Sequence, residues 1–241
     1  VERIIETAEL SGSETVVEVG PGFGVLTGAL LASARKVIAI EKDKQLFAFL
    51  EQEFGAEIKA GKLELINDDA LNFTPPNEPY HLVANIPYSI TSPLLDHFIR
   101  DRFMERRGGC PDDCPRRAIL MVQKEVAQKL CAKPPRMNVL ALHVQTFGTP
   151  RIVFKVSRGN FNPRPRVDSA VIIIDFPPAA NQGGVHNAHG ARTDFGKYFE
   201  LIHKAFGQKR KMLRSTLPVE LLEKAGIDPV HRDGRNSAQW R

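Results

Sequence analysis

The segment Asn-Ile-Pro-Tyr at positions 85–88 carries the most specific chemistry in the sequence. Its residue types suit methylation of a planar, amide-like amine such as N6 of adenine, whose lone pair is delocalised into the ring. The Asn85 side-chain oxygen and a backbone carbonyl, best supplied by Ile86, could accept both N–H protons and draw the nitrogen toward tetrahedral geometry. Pro87 stiffens the turn, and the Tyr88 ring offers base stacking worth ~1–3 kcal/mol. The alternative is a structural turn that carries a core tyrosine.

A glycine-rich turn after the β-branched run at 15–19 is a candidate cofactor loop. Gly20 and Gly22 would let the backbone turn sharply and let a ligand approach closely. Their spacing, Gly-x-Gly-x-Gly, differs from the Gly-x-Gly-x-x-Gly fingerprint of dinucleotide sites. A carboxylate at Glu18 would repel a pyrophosphate but would suit a cation, such as the sulfonium and amino group of S-adenosylmethionine. The alternative is a tight turn without a ligand.

Acidic residues follow the next two predicted strands. Glu41 lies 21 positions after Gly20, where an acid in a doubly wound sheet accepts hydrogen bonds from both ribose hydroxyls. Asp69 could accept from an adenine amino group, and Ala70 would allow close backbone approach. We place Lys42 in the same cofactor site.

Each acid also has a simpler interpretation. Glu41 could be an exposed residue that caps the helix beginning near Asp43, and Asp68 or Asp69 could be a turn residue. The ordered set is stronger evidence than any member, because all of these positions fall at the carboxyl edge of the sheet, where ligands bind. Asn85 is predicted to line both the cofactor site and the amine site.

The elements that must position these residues alternate between strand and helix. Strands are predicted at 15–19, 36–40, 62–66, 80–84, 117–122, 151–156 and 167–176, and helices at 25–34, 92–103, 124–130 and 138–147, with a further helix that Asp43 caps. Alternation with short connections predicts a parallel sheet covered by helices on both faces. No helical pattern separates the last two strands, so they could pair antiparallel at the sheet edge.

The predicted fold class is α/β, with a Rossmann-like, doubly wound sheet over residues 1–176. Residues 177–193 form a linker rich in Gly, Pro, Ala and Asn, and residues 194–241 form a small helical domain. In that domain a helical stripe is marked by Phe195, Phe199, Ile202 and Phe206. A second helix over 219–225 ends at Gly226, a natural C-cap.

The charge of the 241-residue chain is concentrated toward its end. The net charge is +5, but residues 151–241 hold 16 basic and 8 acidic residues, whereas residues 1–150 hold 17 basic and 20 acidic ones. This asymmetry favours a polyanionic partner docked on one side, although a solvated basic face would show the same pattern.

Composition excludes several classes. No apolar run approaches the ~20 residues of a membrane span, and no signal peptide is recognisable at the start. Cys110, Cys114 and Cys131 cannot make a disulfide framework, which favours a reducing compartment, and we predict a cytoplasmic location. The spacing of Cys110 and Cys114, without clear partners, does not make a zinc site, so no metal is predicted.

Taken together, these motifs resemble those of the ribosomal RNA adenine N6,N6-dimethyltransferase family (KsgA type). The resemblance covers most of the chain in family order: residues 18–22, Glu41, 69–70, 85–88, the segment Phe-Asn-Pro-Arg-Pro-Arg-Val-Asp-Ser-Ala at 161–170, and Ala-Phe-Gly-Gln-Lys-Arg-Lys at 205–211. The last element is typical of the branch that acts on small-subunit rRNA.

The resemblance implies a Rossmann-like methyltransferase fold with S-adenosylmethionine as cofactor. It also implies two adjacent adenosines near the 3′ end of small-subunit rRNA as target, in an assembling subunit. We expect the enzyme to be a monomer. It implies that Phe161 faces Tyr88, so that the target adenine stacks between two rings. It also implies that the RNA phosphates are contacted by four basic residues, Lys209, Arg210, Lys211 and Arg214.

Other functions stay open at this point. A macrolide-resistance methyltransferase of large-subunit rRNA shares the Asn-Ile-Pro-Tyr element, and an RNA-binding assembly or transcription factor could use the same scaffold without catalysis. A nicotinamide oxidoreductase is disfavoured by Glu18, by the glycine spacing and by the lack of a Tyr-x-x-x-Lys pair.

Overall fold

Seven strands form one sheet in the computed structural model, which describes residues 1–86, 90–105, 114–134, 136–161, 164–176, 194–207, 213–215 and 217–224. The strands are β1 (Thr15–Val19), β2 (Lys36–Ile40), β3 (Leu63–Ile66), β4 (Tyr80–Asn85), β5 (Pro115–Gln123), β6 (Thr149–Val156) and β7 (Ser169–Asp175). Their order is β3-β2-β1-β4-β5-β7-β6. The first five strands in this order are parallel, and β7 runs antiparallel to both of its neighbours. The predicted antiparallel pair at the sheet edge is therefore confirmed.

Helices lie on both faces of the sheet, as predicted. They are α1 (Glu2–Ala8), α2 (Val25–Ser33), α3 (Lys44–Glu53), α4 (Gly55–Lys59), α5 (Thr91–Leu95), α6 (Arg102–Glu105), α7 (Lys124–Leu130), α8 (Val139–Gln145), α9 (Phe195–Gly207) and α10 (Val219–Lys224). All five residues of β1 are buried, as a strand covered on both faces requires. On one face Val17 packs in a core with Phe98, and on the other Val16 packs with Leu30 of α2.

The helix predicted over residues 92–103 is not α-helical throughout. Between α5 and α6, residues Asp96–Asp101 form a π-helical turn. Phe98 and Ile99 are both fully buried there, and His97 contacts the carbonyl of Phe73 at 2.8 Å. The periodicity of the sequence did not reveal this turn, because it depends on those long-range contacts.

Helix α9 packs on α8 through the predicted apolar stripe. Phe199 and Ile202 are buried, and the Phe199 ring lies 5.8 Å from that of Phe147 and 5.0 Å from that of His143, measured between centroids. Phe199 and Ile202 join the core on one face of the sheet, and the other two residues of the stripe, Phe195 and Phe206, pack against it. The predicted linker lies outside the described residues, and the division into two domains stays a prediction.

Within the described part of the chain, no helix combines the length and the apolar character needed to cross a membrane.

Candidate active site

The carboxyl ends of four parallel strands bring the predicted cofactor and amine residues to one edge of the sheet. Val19 of β1 is in register with Ile40 of β2 and with Ala84 of β4. The residues that follow these positions are therefore neighbours: Gly20 after β1, Glu41 after β2, and Asn85 at the end of β4. The Gly20 N–H donates to the Ile40 carbonyl at 3.0 Å, which continues the parallel ladder to the first glycine of the loop.

The glycine loop needs backbone freedom at Gly20 and Gly22. Their φ angles are +71° and +61°, in the left-handed region that side chains other than Gly rarely adopt. A Cβ built on Gly20 would lie 3.8 Å from the backbone carbonyl oxygen of Asn85. The cofactor loop and the predicted amine-binding residue are thus in direct proximity.

Glu41 supports this loop from the next strand. It is 7% exposed, and its carboxylate accepts the Gly22 N–H at 3.2 Å and the Asp43 N–H at 2.8 Å. Asp43 itself is the N-cap of α3, accepting the N–H groups of Gln45 and Leu46. The alternative in which Glu41 is an exposed helix cap is therefore wrong. Each carboxylate oxygen keeps a further lone pair for a ribose hydroxyl.

Asp69 and Lys42 form an ion pair at the end of β3. The Lys42 Nζ donates to Asp69 Oδ2 at 2.8 Å, and the Leu71 N–H donates to Oδ1 at 3.0 Å. The hydrogen bond from Lys42, followed by that from the Leu71 backbone, holds the pKa of Asp69 below its usual value. Ala70 is buried in the core beneath the loop.

Asn67 contributes to the site although sequence analysis missed it. Its Nδ2 donates to the Glu41 carbonyl at 2.9 Å and so ties the loop after β3 to the loop after β2. The only signal in the sequence is its place directly after the strand residue Ile66.

Glu18 is a buried carboxyl group that has no hydrogen-bond partner within the described residues. It is 1% exposed, and the Thr27 hydroxyl of α2 is likewise without a hydrogen bond there. Burial, the largest cause, together with the nearby charge of Glu41, raises the pKa of Glu18 to about 7, although the nearby Thr27 hydroxyl acts to lower it. A buried carboxyl close to Glu41 can accept a cationic partner, because a positive charge would favour its ionised form.

The residues present therefore fit S-adenosylmethionine. The buried carboxyl of Glu18 can pair with a cation, and the carboxylate of Glu41 can accept hydrogen bonds from a ribose. Because Gly20 and Gly22 have no side chains, a ligand can approach the backbone of the loop closely.

Asn85 lies at the end of β4 with its side chain exposed, whereas Ile86 is buried. The Ile86 N–H donates to the Met121 carbonyl of β5 at 3.2 Å, which fixes the backbone immediately after Asn85. Pro87 and Tyr88 lie outside the described residues.

Phe161 is half-buried and follows the 3-10 turn Arg158–Asn160 after β6. Its predicted pairing with Tyr88 falls outside the described residues. The described residues also exclude three of the predicted RNA-binding residues, Lys209, Arg210 and Lys211. The fourth, Arg214, is exposed in the 3-10 turn Leu213–Ser215.

The sheet order, with its single antiparallel strand β7, and the edge formed by glycines and acids define a class of protein: a Rossmann-like, S-adenosylmethionine-dependent methyltransferase. Comparison with known families narrows the class. The family model described as "Ribosomal RNA adenine dimethylase" matches residues 1–228. The chain belongs to the ribosomal RNA adenine dimethylase family.

Named relatives and solved structures agree with this assignment. The chain is 38% identical to "Ribosomal RNA small subunit methyltransferase A" of Dehalococcoides mccartyi over 99% of its own length and 80% of the relative's. It is 40% identical to the protein of that name from Synechococcus sp., over 96% of this chain and 84% of the relative.

Among solved structures, the dimethyladenosine transferase of Plasmodium falciparum matches with a TM-score of 0.71 at 28% identity, over 93% of this chain and 75% of that one. The 23S rRNA methyltransferase ErmE matches with a TM-score of 0.69 at 28% identity, over 97% of this chain and 91% of that one.

Proposed function

We propose that this protein transfers methyl groups from S-adenosylmethionine to N6 of two adjacent adenosines near the 3′ end of small-subunit rRNA. The observation that carries the proposal is the proximity of Asn85 to the Gly20 loop at the edge where Glu41 lies. The relatives named small subunit methyltransferase A support the choice of RNA.

The main contribution of the protein to catalysis would be to position the target amine. When bound, the cofactor supplies a methyl carbon on a positively charged sulfur. The Asn85 oxygen and the Ile86 carbonyl would accept the two N–H groups of the target amine and leave its lone pair directed at that carbon. The lone pair forms the new C–N bond while the C–S electrons return to sulfur. The resulting ammonium is acidic and releases its proton to water, so no strong general base is required.

The second methylation uses the same contacts with one change. After the first transfer the amine has a single N–H, so one of the two acceptors, Asn85 or Ile86, is left to hold it. The site must then accommodate a methyl group where it first held a proton. The positively charged nitrogen that develops in each transfer is stabilised by the same acceptor oxygens.

The RNA partner is proposed to be the assembling small subunit, bound by a monomer in the cytoplasm. The basic segment of Lys209, Arg210 and Lys211, together with Arg214, would contact phosphates. The excess of positive charge over residues 151–241 supports contacts of this kind. We also propose that residues 194–241 act as a small RNA-contacting domain after the linker at 177–193.

A second candidate is methylation of large-subunit rRNA, which is favoured by the similarity to ErmE. A third, a non-catalytic RNA-binding factor, is disfavoured because Glu18 and Glu41 keep an arrangement suited to the cofactor.

One experiment distinguishes these candidates. Undermethylated small and large ribosomal subunits are incubated separately with the protein and a methyl-labelled cofactor, and the label on each is measured. The proposal expects up to four methyl groups per small subunit and none above background on the large subunit. Label on the large subunit alone would support the second candidate. Cofactor binding without any transfer would support the third.

A further inference from the structure

The π-helical turn Asp96–Asp101 lies in the connection between β4 and β5, which begins directly after Asn85. Phe98 and Ile99 are fully buried and anchor the turn in the core. π-helical turns are rare, and they are frequent at functional sites. The polar side chains of this turn are therefore candidates for a role in the reaction.

His97 of this turn reaches the loop that follows β3. Its Nε2 lies 2.8 Å from the carbonyl oxygen of Phe73, and the rings of Phe73 and Phe98 lie 6.4 Å apart, measured between centroids. A carbonyl oxygen can only accept a hydrogen bond, so Nε2 carries the proton and donates it. The hydrogen bond joins residues 24 positions apart in the sequence and holds the backbone at Phe73.

The same loop carries Asp69, the predicted acceptor for the adenine amino group of the cofactor. We call residues 67–73 the Asp69 loop. Asn67 ties the start of this loop to the loop after β2 through a hydrogen bond of 2.9 Å. In its middle, the Asn72 N–H donates to the Asp69 carbonyl at 2.8 Å and closes a turn. The contact with His97 fixes the end, so the loop is held on both sides of its carboxylate.

The carboxylate of Asp69 is also prepared electrostatically. The hydrogen bond from Lys42 is the largest cause of its lowered pKa, and the charge of a protonated His97 contributes in the same direction. Lys42 occupies one carboxylate oxygen and the Leu71 N–H the other, and each oxygen keeps a further lone pair. Asp69 is thus ionised and oriented, as an acceptor for an amino group must be.

We propose that His97 is a positioning residue that holds the Asp69 loop against the adenine of the cofactor and so sets the preference of the enzyme for that base. The inference rests on the proposed function, because it takes S-adenosylmethionine as the cofactor. His97 acts through the Phe73 backbone, while Asp69 accepts from the amino group. A base with oxygen in place of that group offers no donor and leaves the carboxylate facing a second acceptor. The site should therefore reject such a base.

Asp96, the neighbour of His97 in the same turn, contacts a different part of the fold. Its Oδ1 lies 3.0 Å from Nδ1 of His143 on α8, and its Oδ2 lies 2.9 Å from Arg100 within the turn. Removing the Asp96 side chain disturbs the turn but leaves the donor to the Phe73 carbonyl in place. Asp96→Ala is therefore the matched control, because it measures what a general loosening of the turn would do.

The first experiment compares the binding of two ligands by calorimetry: S-adenosylhomocysteine, and S-inosylhomocysteine, in which oxygen replaces the adenine amino group. The wild type should prefer the first at least ~10-fold, as expected for a hydrogen bond to a charged group. His97→Ala should reduce this preference to about 2-fold, mainly through weaker binding of S-adenosylhomocysteine. The values of kcat at saturating cofactor and of KM for RNA should not change. Asp96→Ala should keep the preference of the wild type.

The reach of the side chain at position 97 provides a second test. His97→Gln places an amide N–H group near the position of Nε2 and should keep most of the preference. His97→Asn carries the same group too close to its own backbone to reach the Phe73 carbonyl, and it should lose the preference. Equal preferences of these two variants would contradict a role through that carbonyl. Thermal unfolding shows that each variant compared is folded.

A third measurement uses the wild type alone, so it does not depend on the folding of any variant. Nitrogen NMR of the histidine rings should show the neutral ring of His97 protonated at Nε2. S-adenosylhomocysteine should shift the signals of this ring more than S-inosylhomocysteine does. A proton on Nδ1, or signals that neither ligand moves, would overturn the inference.

Failure of this inference and failure of the proposed function are distinguishable. If the wild type does not methylate small-subunit rRNA, the proposed function is wrong whatever the binding preferences are. If it does, and His97→Ala keeps the preference of the wild type or the wild type has none, the inference alone is wrong. An equal loss of preference in Asp96→Ala and His97→Ala would also overturn it, because the turn as a whole would then be responsible.

Discussion

The Gly22 N–H donates a hydrogen bond of 3.2 Å to the buried carboxylate of Glu41, which joins the glycine loop after β1 to the end of β2. Glu41 thus holds the loop in place, and its carboxylate oxygens keep further lone pairs for the predicted contact with a ribose. The two parts of the proposed cofactor site are connected before any ligand binds.

Replacing Glu41 tests this connection. Glu41→Gln should weaken S-adenosylmethionine binding roughly 10- to 100-fold, since a hydrogen bond to a charged group contributes ~1.5–3 kcal/mol. Isothermal titration calorimetry measures the change. Glu64→Gln is a suitable control, because Glu64 is an exposed strand residue that pairs with Lys36 at 2.7 Å. Equal S-adenosylmethionine affinities of the two variants would show that Glu41 does not bind the cofactor.

Asn85 can be tested by separating binding from chemistry. Asn85→Ala should lower kcat at least ~100-fold, as loss of one well-placed polar group in a transition state does, while RNA affinity changes little. Asn85→Asp keeps an acceptor oxygen and should retain more activity than the alanine variant. Single-turnover methyl transfer and RNA binding measure the two effects. Full activity of Asn85→Ala would contradict the assigned role.

The buried carboxyl of Glu18 predicts a pH dependence of stability. Its pKa in the folded protein is raised to about 7 from an ordinary value of 4.5, so the folded chain holds a proton that the unfolded chain releases between these pH values. The free energy of unfolding should therefore fall as pH rises from about 4.5 to about 7, by up to ~3 kcal/mol, and level off above.

Glu18→Gln should remove that fall and make the ligand-free protein more stable than the wild type at pH 8. Chemical denaturation at pH 5 and pH 8 measures the difference. A wild type and a variant with parallel pH profiles would show that Glu18 is not the titrating group. The same variant should bind the cofactor less tightly, because the amide offers no negative charge to a cation.

Packing of the glycine loop on α3 predicts a steric effect at Gly24. A Cβ there would collide with the Phe54 ring and lie 2.8 Å from Leu50 Cδ2. Gly24→Ala should destabilise the fold by ~1–3 kcal/mol, because overpacking adds to the strain of a side chain at a φ of +76°. Gly28→Ala is the matched control within α2: its Cβ would meet Phe54 at an ordinary 3.7 Å, and alanine favours the helix. Thermal unfolding of both variants should show a loss of stability only at position 24.

Local patterns in the sequence predicted the elements and their order at the site edge. The β-branched runs became strands, Asp43 caps α3 as expected, and the absence of a helical pattern between the last strands predicted their antiparallel pairing. Each of these features depends on residues close together in the sequence, so propensity and periodicity were sufficient.

Features that depend on distant contacts were not predictable in this way. The Lys42–Asp69 ion pair joins residues 27 positions apart, and Asn67 reaches the Glu41 carbonyl across two strand ends. Nothing periodic marks either contact. The sequence likewise did not predict that the Glu18 carboxyl is buried without a hydrogen-bond partner among the described residues, because its environment is set by the packing of α2 over β1.

The most direct test of the central claim is mass spectrometry of rRNA from undermethylated small subunits treated with the protein and a methyl-labelled cofactor, alongside Asn85→Ala. The account predicts two adjacent N6,N6-dimethyladenosines near the 3′ end with the wild type, and neither with the variant. Label at another position, on another atom of the base, or at equal levels with both proteins would contradict it.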